Sequence, residues 1–239
     1  PIIAKNDLGY KNLVKLSSCS YLNHKDFNEP FCDFKDLIKY KDGLIITLGS
    51  LNSLAGDLFK KDRLDEIKEI YEFLKNLFGN NFYIEIQRHD DLNEKSLEIY
   101  NLSLSNELNV PVIASHEVYY LEKGLYDAHD ALMCIKSKNY INDKNRSKLS
   151  NNHYLKNDEE MRSLFSDLPE ALENNFNLPL RCSYRPTVSK PLLPNIGSKK
   201  NLTADHILKQ EAELGLKERL KNYENEESEF KLSEYNKRL

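Results

Sequence analysis

Val110-Pro-Val-Ile-Ala-Ser-His-Glu-Val-Tyr-Tyr-Leu121, followed by Asp127-Ala-His-Asp-Ala-Leu-Met-Cys-Ile135, decides the reading of this chain. An apolar run of strand length opens into polar residues at His116 and Glu117, and a helix is predicted to begin near Leu125. Upstream, the pattern repeats. Leu44-Ile-Ile-Thr-Leu48 follows the turn signal Lys41-Asp-Gly43 and reads as a strand covered on both faces. Between Asp62 and Phe78 the residues Leu64, Ile67, Tyr71, Leu74 and Leu77 fall at helical spacing, and Gly79-Asn-Asn81 stops the helix. Phe82-Tyr-Ile-Glu-Ile-Gln87 is the next strand, and Asn93 is the expected cap of a helix with Leu97, Tyr100, Leu104 and Leu108 on one face. Val110 to Ala114 is the third strand. Connections of this length exclude hairpins, so the three strands are expected to be parallel, in an α/β sheet or barrel.

Composition agrees with that class. The 239 residues are 40% hydrophobic, with a formal charge of −4 and a pI near 5.9, which gives no whole-chain case for wrapping nucleic acid. No signal peptide or spanning apolar run is present, so a soluble, cytoplasmic protein without membrane contact is expected. Cys19, Cys32, Cys134 and Cys182 are scattered and read as reduced, mostly buried thiols. The start at Pro1, with Pro1-Ile-Ile resembling the tail of a strand, suggests a fragment of a longer chain. On that reading the first strand and the opposite sheet edge lack neighbours.

Parallel strands place their C-terminal ends on one rim, where sites are built. Gly49-Ser50, Arg88-His89-Asp90 and Ser115-His116-Glu117 converge there. Two imidazoles and a carboxylate, His89, His116 and Glu117, suit Zn, Mn or Fe, although the His-x-His that would make the case strong is absent. Polar residues at loop ends are more often hydrogen-bonding or surface groups. Asp57, Asp62, Asp90 and Asp91 read as caps and solvated faces.

At these residues the chain resembles the polymerase and histidinol phosphatase (PHP) domain of bacterial replicative DNA polymerase III alpha subunits. Pro1-Ile-Ile-Ala-Lys-Asn-Asp-Leu-Gly-Tyr-Lys-Asn-Leu13 is similar to the family's strand leading into "A-K-N-x-x-G-Y-x-N-L", and Gly43-Leu-Ile-Ile-Thr-Leu-Gly-Ser50 to "G-L-I-x-L-S-G". Tyr83-Ile-Glu-Ile-Gln-Arg-His89 resembles "E-L-Q-R-H", and Pro111-Val-Ile-Ala-Ser-His-Glu117 stands where the family has "P-V-V-A-T-N-D". Collinear matches continue through His153-Tyr-Leu-Lys156, Glu160-Met161 and Leu164 to Leu172 as far as Cys182, and the resemblance spans most of residues 1 to 220.

The resemblance implies a distorted β/α barrel with parallel strands, incomplete here, followed by a helical extension leading toward the polymerase palm. It implies the C-terminal part of a PHP domain with its connecting segment at 1–188, a linker at 189–200 around Ser189-Lys-Pro-Leu-Leu-Pro-Asn-Ile-Gly197, and a helical start of the region joining the polymerase core at 201–239. In that last part Thr203 is the expected cap, with Leu202, Ile207, Leu208, Ala212 and Leu216 on the apolar face; Asn222 to Leu239 shows no strong periodicity. Metal-binding family members carry a Cys where this chain has Ser50, and an Asp-x-His where it has Glu117 and Tyr119. A Ser and a Tyr are poor substitutes for a thiolate and an imidazole. The resemblance thus implies a barrel without PHP metals, in which His89, His116 and Glu117 are vestigial. No catalytic or cofactor-binding residue is expected here. The polymerase carboxylates and their Mg²⁺ belong to a part of the family's proteins that this chain does not include. The implied role is a platform for the proofreading exonuclease subunit and other replicase subunits, with DNA reached through the polymerase domains of the parent; the alternative is a metal-dependent phosphoesterase.

Overall fold

The structure, a computed structural model, describes residues 1–23, 29–188, 190–191, 203–220, 233–235 and 237–238. Two compact units divide the chain, Pro1–Arg185 and Pro186–Leu239. In the first, β1 (Ile2–Ala4) leads into α1 (Asp7–Leu22) and α2 (Phe34–Lys39), then β2 (Leu44–Leu48), α3 (Leu54–Lys60) and α4 (Leu64–Phe78). There follow β3 (Phe82–Ile86), α5 (Glu94–Leu108), β4 (Val112–Ala114), α6 (Tyr126–Ser137), α7 (Asp158–Leu164) and α8 (Pro169–Leu180). The strands form one open sheet in the order β1-β2-β3-β4. β2, β3 and β4 are parallel, as expected from their long helical connections. β1 runs antiparallel to β2, with Ala4 opposite Leu44, because α1 and α2 together return the chain to the sheet end it left. The short Ile2–Ala4 segment carried no sequence signal for its direction.

Backbone contact explains the residues of the first motif. Asn6 caps α1, its Oδ1 accepting from Gly9 N at 2.9 Å, and Asn12 Nδ2 donates to Asp42 O at 2.9 Å. Between them, α1 meets the turn before β2 so closely that a Cβ on Gly9 would lie 1.8 Å from Gly43 O. Gly43 itself has φ of 75°, a conformation that L side chains rarely adopt.

One face of the sheet, with Leu44, Ile46, Phe82, Ile84, Ile86, Val112 and Ala114, packs on Leu16, Ile67, Tyr71, Leu74 and Leu104 of the helices. Burial of each such side chain stabilises by roughly 1.5–3 kcal/mol. The spacing of Ile67, Tyr71, Leu74 and Phe78 puts α4's apolar stripe against it. Tyr71 OH donates to Asn101 Oδ1 at 2.8 Å, so the buried hydroxyl has a partner. Asn93 stands at the N-cap of α5, but in the left-handed region with no side-chain cap bond, unlike the expectation for it. The opposite face, with Ile45, Tyr83 and Ile113, is covered by Leu178 and Cys182.

Helix α8 joins the two faces around the edge of β4. Its Ala171 is in the first core and Leu178 packs on the second. Between them Asn174 Nδ2 donates to Val112 O at 2.8 Å and Asn175 Nδ2 donates to Ala114 O. Two side-chain amides thereby take the carbonyls that a further strand would have paired. The β4 edge is thus covered, unlike the expectation for it, whereas β1 stands at the other end of the open sheet with β2 as its one strand neighbour among the described residues.

In the second unit, α9 (Ala204–Leu220) begins at Thr203, whose Oγ1 accepts from His206 N at 3.3 Å, and none of the helix's residues is buried. Leu202, most of the linker and most of 222–239 lie outside the described residues. No helix among the described residues is long and apolar enough to cross a membrane.

Two substitutions test this packing. Gly9→Ala should lower stability by on the order of 2–3 kcal/mol, because only backbone faces the new methyl. The Asn174→Ala/Asn175→Ala double variant should lose about 1–2 kcal/mol, seen as a lower urea midpoint at unchanged slope. A midpoint equal to that of the parent chain would refute the edge-cap role.

Candidate functional site

Strand β3 ends at Ile86, and the next residues build the rim. Asp90 and Asn93 both have positive φ, 63° and 71°, and this tight reversal brings Glu94 back onto His89. The Glu94 carboxylate accepts from the His89 backbone N–H, and its Oε1 lies 2.7 Å from His89 Nδ1. Burial alone would push the Glu94 carboxyl up, but its bonds from the His89 ring and backbone outweigh this and hold it below the usual range. Glu117 N donates to His89 Nε2 at 3.0 Å, so the His89 proton sits on Nδ1 and its only lone pair is engaged.

A second segment is laid over the first by backbone bonds. Tyr119 N donates to His153 O at 2.9 Å and Leu155 N to Tyr120 O at 3.0 Å. This delivers His153 onto His89, with the rings 3° from parallel and their centroids 4.1 Å apart. On the other side of His89 lies His116, at 4.3 Å and 25°. The result is a pile of three imidazoles, with His89 in the middle and His89 and His153 fully buried.

Each ring is held by this chain's own groups. His153 Nδ1 faces Glu117 O at 3.1 Å and its Nε2 faces Asp91 Oδ2 at 2.9 Å. A carbonyl only accepts, so Nδ1 carries a proton, and the second contact holds another proton between ring and carboxylate. His116 Nε2 donates to Asn152 O at 2.9 Å and Tyr154 O at 3.1 Å, while its buried Nδ1 has no hydrogen-bond partner. Burial, with help from nearby His89 and Lys156, pushes His116 down to about 4 against the opposing pull of its carbonyl partners. Lys156 donates to Asn152 O at 2.9 Å, lies 3.8 Å from the Tyr154 ring centre, and is pushed down by its own burial.

Of the three residues singled out from the sequence, the structure brings His89 and His116 together but turns the Glu117 side chain away. Its Oε2 accepts from Asn52 Nδ2 at 2.8 Å, and only its backbone reaches His89. Asp91 is neither a cap nor a solvated carboxylate, since it anchors His153 and also accepts from Ser150 N at 3.2 Å. His153 was legible only as part of a collinear stretch; its partners lie 36 and 62 residues away. Glu85 was likewise hidden in an apolar strand. It is buried on the Tyr83 face, where its carboxylate accepts from Ser115 Oγ, Thr47 Oγ1 at 3.4 Å and Gln87 Nε2 at 3.3 Å.

The donor atoms of His89, Asp91 and His153 all lie within 4.8 Å of one another. A metal needs imidazole lone pairs aimed in plane at one point about 2.0–2.1 Å away. Parallel rings stacked 4.1 Å apart send theirs into parallel planes, and the ring nitrogens already meet Glu94, Glu117 and Asp91. In this arrangement the ring nitrogens of His89 and His153 are engaged within the chain, and their bonds tie the rim segments together.

Comparison with known proteins gives a consistent picture. Residues 1–89 match the family model described as PHP domain. Over 222 residues, 92% of this chain, it is 35% identical to a Rickettsia conorii protein named DNA polymerase III subunit alpha, covering 18% of that protein. A Borreliella burgdorferi protein of the same name is 38% identical over 196 residues, 81% of this chain and 17% of the relative. A Vibrio cholerae one is 30% identical over 220 residues, 92% and 19% respectively. The chain therefore spans less than a fifth of the length of these relatives.

The low His116 value fixes a pH response. A free histidine titrates near 6.5, so between that pH and about 4 the unfolded chain binds a proton that the folded chain excludes. This contribution is whole above pH 6.5 and is lost as the pH falls toward 4. Urea midpoints at pH 7 and pH 5 should drop less for His116→Asn than for the parent chain; equal drops would remove His116 as the source.

Proposed function

Since the chain belongs to the DNA polymerase III subunit alpha family through a segment carrying PHP-domain sequence, we propose that it acts as a structural and docking platform rather than as a metal enzyme. The observation that carries this reading is the imidazole pile, whose ring nitrogens are engaged within the chain except for the buried Nδ1 of His116. Ser50 and Tyr119, at positions where the resemblance would put metal ligands, add to it. The parent protein is then the DNA-directed DNA polymerase of chromosomal replication, acting in the cytoplasm, with Mg²⁺ held by carboxylates outside this chain. Residues 1–188 form the PHP portion with its connecting segment, 189–200 the link, and 201–239 the passage to the polymerase core. The platform's partner is the proofreading exonuclease subunit, beside other replicase subunits and DNA.

A metal-dependent phosphoesterase is the second reading, favoured by the close approach of His89, Asp91 and His153. The intact subunit separates the two. Purified without chelator, it should hold no stoichiometric zinc or manganese in this region, and should release no phosphate from a phosphomonoester when either metal is added. Two or three tightly bound ions per chain, lost on His89→Ala or His153→Ala, would establish the phosphoesterase reading instead.

A further inference from the structure

Helix α6 and the loop after it make an unusual surface. Among α6's residues only Asp130 and Cys134 are buried, and Leu132 and Ile135, one turn apart on the helix, are 60% and 75% exposed. Just past the helix end, Tyr140 is 81% and Ile141 59% exposed. A solvated helix end and its loop do not usually carry four large apolar side chains so close in sequence, and exposed apolar patches mark contact surfaces.

The loop after α6, which bears Tyr140 and Ile141, is held at several points. Lys138 ends α6 in the left-handed conformation, and Asn139 N donates to Cys134 O at 3.0 Å. Arg146 then returns to the middle of α6, where its guanidinium makes a two-pronged pair with Asp130 at 2.5 and 2.6 Å. Both side chains of that pair are about nine-tenths buried. Further on, Tyr126 OH donates to Leu149 O at 3.0 Å, so the loop runs back along the whole of α6, a distance of about 18 Å for 12 residues. A loop fixed in this way loses little entropy on binding.

Charge identifies the partner. The chain has 34 Lys and Arg against 38 Asp and Glu, yet Lys136, Lys138 and Lys144 are exposed on this surface, while Lys148 lies over the Tyr126 ring at the other end of α6. Basic residues outnumber the carboxylates here. Asp130 is paired with Arg146, Asp143 accepts from Tyr140 N at 2.7 Å, and Asp127 stands at the far end of α6. Exposed apolar side chains interspersed with cations suit protein interfaces, which are apolar at the core and polar at the rim. A nucleic acid would use the lysines but gain nothing from Leu132, Ile135 and Ile141.

We propose that α6 and its return loop are a docking surface for a protein segment that is apolar at its centre and carries carboxylates at its rim. The proposal rests on the platform reading above and locates the contact within it. The test uses the intact subunit and the purified proofreading exonuclease subunit of the same replicase, with affinity measured across a salt series. Ile135→Glu combined with Tyr140→Ala should weaken binding at least tenfold at an unchanged melting temperature, because both side chains are exposed. Lys136→Glu with Lys144→Glu should weaken it and flatten its salt dependence. With no variant needed, zero-length carbodiimide coupling of the wild-type pair should join these lysines to Asp or Glu of the exonuclease. Tight binding by all variants with no such cross-links overturns the surface and leaves the platform standing. A wild-type subunit that does not bind the exonuclease overturns both. Loss of primer–template affinity with unchanged exonuclease affinity assigns the surface to nucleic acid and overturns the proposal.

Discussion

Arg88 is the residue on which the rest of this architecture leans. It lies two residues past the end of β3, and its guanidinium reaches three separate parts of the chain. Nε bonds Glu98 of α5 at 3.1 and 3.2 Å, Nη1 bonds Leu164 O at the end of α7, and both Nη atoms hold Asp167 in the turn before α8. Its plane lies 4.7 Å from the centre of the fully buried Phe165 ring. With 17% and 14% side-chain exposure, Arg88 and Glu98 are a largely desolvated pair, in which removing either partner would leave a costly uncompensated charge. By fixing the α7–α8 corner, Arg88 sets where α8 can begin, and so where its Asn174 and Asn175 meet β4. One residue later, His89 starts the rim.

The rim shows how little separates a ligand cluster from a structural one. Imidazoles and carboxylates are present in a number that would hold an ion, and the strand ends bring them together as in other parallel α/β folds. What differs is the direction and state of the lone pairs. His89 meets a backbone N–H, His153 meets an acceptor at each nitrogen, and His116 turns its donor to two carbonyls. Composition counts ligands, but coordination requires free lone pairs that converge.

What was legible in the sequence follows from period. Leu44–Leu48 is the strand that its apolar run indicated, and α4 buries the Ile67, Tyr71 and Leu74 stripe. Strand β4 begins at Val112 rather than Val110 because Pro111 has no N–H for the ladder. Long-range pairings were illegible. Nothing local announces that β1 is antiparallel, that Asp91 awaits a histidine 62 residues later, or that Asn174 and Asn175 face strand carbonyls. Asn93 was misjudged as a side-chain cap because its residue type fits two roles, capping and left-handed turning, and the need to return Glu94 to His89 selects the second.

The amide pair that ends the sheet also closes a loop. Val112 and Asn174 are 62 residues apart, and everything between them, including α6, α7 and the imidazole-bearing segments, hangs from that clasp. Closing a loop costs entropy that rises only with the logarithm of its length, about 0.6 kcal/mol for each doubling. Between its fixed contacts the span can therefore gain or lose residues at small entropic expense, provided those contacts and the clasp are kept. An insertion in the loop after α6 would leave the sheet untouched, but it would have to spare the Asp130–Arg146 pair and the Tyr126–Leu149 bond that lay the loop along the helix.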